Sequence, residues 1–149
     1  MQRKFVFLLL IVLILFTHPL ISKEKPKSST TVIFIAHKDV PMDSITKKDL
    51  QKILLGKKKK WADNTNIELV LPDDDEILKI VLKSVKKSLF QFNNTWKKLI
   101  FTGKRKAPVK LKKEKEIIEF VKKTPGAFSF IVKTENPDKD VKVIKITEK

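Results

Sequence analysis

The sequence contains no cysteine. That absence excludes disulfides, thiolate metal sites, a thiol nucleophile and a cysteine-borne lipid anchor. Arginine is nearly absent as well: of 33 basic residues, only Arg3 and Arg105 are arginines. Bidentate recognition of phosphates and base edges is arginine chemistry, whereas lysine acts as a point charge. Histidine is limited to His18 and His37. There is no histidine pair to suggest a metal, and no serine in a Gly-x-Ser-x-Gly elbow. Neither catalytic residues nor a cofactor are therefore expected, and His37 reads as a structural side chain at a strand end. No segment repeats.

What is present is positive charge, +16 over 149 residues. Such a charge attracts acidic lipids, polyanions and small anions at low salt. Nucleic-acid binding would need basic residues interleaved with exposed aromatics. The aromatics here sit in apolar patterns, so nucleic acid is not the expected partner.

The N-terminus pairs Arg3 and Lys4 with an apolar run from Phe5 to Phe16, broken at Thr17-His18-Pro19. This is a secretory signal pattern, and the run is short for a membrane span of about 20 residues. Residues 1–22 are expected to be a signal peptide, or else a retained anchor and then the chain's one contact with a membrane. Residues 23–30 form a polar linker and residues 31–149 a domain in the periplasm or cell envelope.

Within that domain, Thr31–Ala36, Ile67–Leu71 and Ala127–Val132 read as buried strands, and Val141–Ile146 as an edge strand because apolar and basic residues alternate. Thr46 with Asp49 outlines a helix start, and Leu50, Ile53 and Leu54 lead to Gly56 at its end. A second helix follows the acidic turn Asp73-Asp74-Asp75-Glu76, which suits a helix N-terminus better than a cation site. A third is expected to be capped by Asn93 or Asn94, with Trp96 and Phe101 in the core. The fourth spans Glu114–Lys123. The order predicts an α/β fold with one small mixed sheet. Phe128 and Phe130 share a core face, and Ser129 between them is expected to face a cleft.

Four lysines follow Gly56 and end at Trp61. The run can be an anion funnel or a solvated turn beyond a helix C-terminus, where positive charge suits the dipole. The second reading is favoured, with Trp61 packed beneath the loop.

These punctuation marks resemble a known family. Gly56-Lys57, then Trp61, then Phe101-Thr102-Gly103 and finally Thr124-Pro125-Gly126-Ala127 follow the order seen in substrate-binding proteins of phosphate ABC transporters. Those carry a G-K-x-x-x-W turn and, later, a P-G-A strand start. The resemblance spans Thr31 to Val132. It implies one lobe of a type II periplasmic-binding-protein-like fold and a non-enzymatic solute-binding role. Partners would be a small phosphate-like anion, an ABC transporter, a second lobe or a second copy of the chain. Gly56, Lys57, Trp61, Thr124, Pro125 and Gly126 would be scaffold. A lone lobe cannot close around ligand by hinge motion as two-lobed receptors do.

The sequence departs from the family where phosphate is held. An Arg, Asp and Gly-Ser-Gly-Thr loop at a helix N-terminus is replaced by Pro72-Asp73-Asp74-Asp75-Glu76. A helix N-terminus favours an anion by about 0.3–1 kcal/mol. One carboxylate about 4 Å away opposes it by about 1–4 kcal/mol. The usual phosphate loop thus reads as lost. The remaining ligand candidates are Lys104 and Arg105, in a basic loop, and Ser129.

Overall fold

The computed structural model describes residues 31–132 and 139–148. The signal segment and linker expected in residues 1–30 lie outside the described residues.

The described residues form six strands and four helices. They are β1 (Val32–His37), β2 (Ser44–Thr46), α1 (Lys47–Leu54), β3 (Glu68–Pro72), α2 (Asp75–Ser84), α3 (Leu89–Phe101), β4 (Val109–Leu111), α4 (Glu114–Lys123), β5 (Ala127–Val132) and β6 (Val141–Thr147). The strand order is β2-β6-β1-β5-β3-β4. Only β1 runs against the other five, pairing antiparallel with both β5 and β6.

Each face of the sheet is covered. On one side α1, α2 and α3 bring Leu50, Leu54, Leu78, Leu82 and Trp96 onto Phe128, Phe130 and Leu71. On the other, Ile117 and Val121 of α4 pack on Ile35, Val70 and Ile131. Two-sided burial explains why β1, β3 and β5 are almost continuous apolar runs.

Three helix starts, at Thr46, Asp74 and Ser88, are capped by a side-chain oxygen. Thr46 Oγ1 accepts from the Asp49 N–H at 3.0 Å, as the sequence suggests. The third helix starts earlier than expected. Ser88 caps it, and Gln91 reaches back to the Ser88 N–H in a reciprocal box that satisfies two otherwise orphaned donors. Asn93 and Asn94 are exposed residues inside α3.

Three further expectations are corrected. Phe101 is 93% exposed although Trp96 is buried, because five residues turn a helix by about 140°. The strand β6 is not an edge: the three-residue β2 pairs along it from Ser44↔Lys145 to Thr46↔Thr147. The basic loop before α4 contains β4, which pairs with β3 from Val70↔Val109 to Pro72↔Leu111.

Candidate functional site

Because β2, β3 and β4 are parallel and each leads into a helix, three helix N-termini meet at one end of the sheet. They are Thr46 of α1, Asp74 before α2 and Lys113 before α4. Backbone N–H groups pointing outward make such an end a natural place for an anion. At α2 this chain supplies its own. Asp74 Oδ1 accepts from the N–H groups of Glu76 at 2.8 Å and Ile77 at 3.3 Å. The donors that could hold a ligand oxygen are thus occupied by a carboxylate.

Further negative charge surrounds that cap. Asp73, Asp75 and Glu76 are all exposed. Lys79 Nζ pairs with Glu76 at 2.6 Å, and the carboxylate raises the lysine pKa through a hydrogen bond and direct attraction. Lys110 on β4 lies 3.8 Å from Asp75. These two lysines offset part of the acidic charge, and both are half-exposed and screened.

The opposite end of the sheet holds the other singled-out motifs. The lysine run closes α1: the Lys57 and Lys58 N–H groups donate to Lys52 O at 2.8 and 3.1 Å. Lys58 Nζ turns back to Asp49 at 3.0 Å, and Lys60 bridges to Asn66. Gly56 is buried against α3, where a Cβ would stand 2.9 Å from Leu99. Trp61 lies beneath this turn, 3% exposed. Its indole N–H donates to Gly126 O at 3.0 Å. Thr124 O accepts from the Ala127 N–H at 3.1 Å, which closes the turn around Pro125 and Gly126.

Lys104 and Arg105 belong to this same end, away from the helix N-termini. With Lys106, Asn66 and Glu68 they line a groove of about 220 Å³. Lys104 is exposed. The Arg105 guanidinium sits 5.9 Å from the centre of the Trp96 ring and donates to Ile67 O at 3.4 Å. Its Nε is buried and without a partner. Ser129 does not join them and does not face a cleft. It is 0% exposed, its Oγ has no partner, and it pairs opposite Ile35 beneath the α4 face. The reason is strand alternation: with Phe128 and Phe130 on the face of α1–α3, Ser129 must point to the side that α4 covers.

His37 is buried, and its Nδ1 accepts from the Asp39 N–H at 3.2 Å. Among the described residues, no group of three or more His, Cys, Asp and Glu is placed to hold a metal ion.

The architecture is α/β, and it is that of one lobe of a periplasmic-binding-protein-like fold. Its structural neighbours are phosphate ABC transporter substrate-binding proteins. PstS from Borrelia burgdorferi is similar at a TM-score of 0.60 and 20% identity, over 78% of this chain and 47% of that one. A substrate-binding protein of phosphate ABC transporters from Clostridium perfringens, solved with bound phosphate, gives 0.60 and 16%, over 77% and 44%. An ABC-type phosphate transport receptor from Vibrio cholerae gives 0.51 and 16%, over 77% and 45%. This chain therefore spans less than half the length of the receptors it matches. The sequence matches no protein-family profile and no curated protein.

Proposed function

We propose that this chain is an exported, non-enzymatic solute-binding-protein-like lobe that has kept the phosphate-receptor scaffold and lost its helix-terminus phosphate site. The observation that carries this reading is the Asp74 carboxylate on the Glu76 and Ile77 N–H groups. A phosphate approaching α2 would have to displace that cap and face Asp73, Asp75 and Glu76, a repulsion larger than the attraction of the helix terminus. Export to the periplasm or cell envelope is supported by the basic and apolar pattern of residues 1–22. Without that ligand, the lobe acts as an interaction module, with an ABC transporter, a second lobe or a second copy of itself as the partner.

A second reading has one specific support. Arg105 Nε is buried without an acceptor at the edge of the groove that Lys104 and Lys106 line. A small anion could supply the acceptor there, although Glu68 stands in the same groove.

Calorimetric titration of phosphate into the folded chain at physiological salt separates the two. The lost-site reading expects no saturable heat. Saturable micromolar binding, abolished by Arg105→Gln and retained in Asp74→Ser, would replace it with the groove reading.

A further inference from the structure

The acidic residues of this chain leave a wide gap. Residues 77–113 contain 12 basic side chains and no aspartate or glutamate. That stretch includes the whole of α3, whose exposed side mixes Asn93, Asn94, Lys97 and Lys98 with large apolar side chains. Phe90 is 74% exposed and Phe101 93%. At 100° per residue, Phe90, Asn94, Lys97 and Phe101 fall within about 60° of one another on the helix surface. The two phenylalanines therefore stand on one face, about 16 Å apart along the axis. Ile100 flanks them at 45% exposure, and Lys97 and Lys98 lie between them. Exposed Lys86 precedes the helix, and exposed Lys104 and Lys106 follow it. Of the carboxylates, Asp73–Glu76 lie at the sheet end before α2, and Glu114, Glu116 and Glu119 on α4, across the sheet, whereas Glu68 lies in the groove beside Lys104 and Lys106.

We infer that the outward face of α3 docks on an anionic phospholipid bilayer. The lysines provide attraction to a negative surface. The phenylalanines provide apolar wedges that enter the boundary between headgroups and acyl chains, as on helices that lie in the membrane plane. Charge alone would bind any polyanion; two phenylalanines on the same face select a partner that is negative outside and apolar beneath. Single-stranded nucleic acid fits less well. It needs aromatic platforms for successive bases, whereas these rings are too far apart and nothing aromatic lies between them on that face. Arg105, the one arginine among the described residues, is turned inward onto Trp96. This inference is independent of the anion site at α2.

The absence of cysteine makes a direct test possible. In the full chain, Asn94→Cys places a single environment-sensitive fluorophore between the two phenylalanines without removing either. Lys115→Cys, exposed on α4, is the control on the opposite side. The labelled chain is mixed with preformed phosphatidylcholine vesicles with or without phosphatidylglycerol. The expected result is a blue shift at position 94 only with phosphatidylglycerol, and none at position 115. Phe90→Ser/Phe101→Ser in the same background lowers the bound fraction about tenfold per ring. Lys97→Gln/Lys98→Gln weakens it and reduces its salt dependence. An unmoved label at 94, or equal shifts at 94 and 115, overturns the inference. So does a shift produced by single-stranded DNA and not by vesicles.

Discussion

The indole N–H of Trp61 donates to the carbonyl oxygen of Gly126, 65 residues away in sequence. This bond joins the lysine-rich turn to the Thr124-Pro125-Gly126 turn, so two motifs that are distant in the chain form one buried contact. Gly126 O also accepts from the Glu68 N–H at 3.2 Å. Trp61→Phe therefore does not orphan the carbonyl. It removes one net hydrogen bond and some ring volume against Phe128. The expected loss is about 1–3 kcal/mol of unfolding free energy. Urea denaturation reads this directly, and an unchanged midpoint would mean that the contact contributes nothing in solution.

Two glycines should respond differently to alanine. Both have positive φ, +65° at Gly56 and +77° at Gly126, a backbone cost of about 1–3 kcal/mol for a residue with a side chain. A Cβ at Gly56 meets the flexible end of Leu99 at 2.9 Å. At Gly126 it meets the backbone oxygen of Asn66 at 2.1 Å, which cannot move aside without breaking the turn. Gly126→Ala should therefore be the more damaging, with a melting temperature clearly below that of Gly56→Ala. The reverse order would show that the Asn66 turn yields easily.

Ser129→Ala is expected to be neutral or to stabilise by up to about 1 kcal/mol, because it removes a buried hydroxyl with no partner. A thermal melt tests this. A marked loss of stability would reveal a bond made by Oγ, and a change in ligand binding with unchanged stability would restore Ser129 as a site residue.

The acidic turn should be convertible. Asp74→Ser keeps a capping oxygen and removes a charge. With Asp73→Asn and Asp75→Asn added, phosphate affinity should rise by about tenfold or more per carboxylate removed, from an undetectable start. Calorimetry of the triple variant decides the matter. Persistent absence of heat would mean that charge is not what keeps phosphate away.

Much of this arrangement was legible in the sequence. Apolar runs identified β1, β3 and β5, and helical spacing identified α1, α2 and α4. The three-residue strands β2 and β4 were not, since three residues are too few to show a period. Their formation depends on neighbours, β6 and β3, already being in place. Missing β2 is also why β6 read as an edge. Phe101 was misplaced because five residues along a helix change the face. Ser129 does lie on the face opposite Phe128 and Phe130, but α4 covers that face, and nothing local in the sequence shows which helix packs there. The G-K-x-x-x-W and P-G-A signals carried the fold because they mark turns whose geometry is local. The exposed phenylalanine face of α3 had no such signal. Phe90 and Phe101 are both embedded in apolar sequence, and only the packing of Phe92 and Trp96 shows which way they turn.

The two ends of the sheet have different mechanical duties. The Trp61–Gly126 bond, the Arg105–Trp96 contact and the lysine turn all lie at one end, while the cap at Asp74 lies at the other. A change in the α2 turn can thus alter what the rim attracts without loosening the clasp that holds the strands.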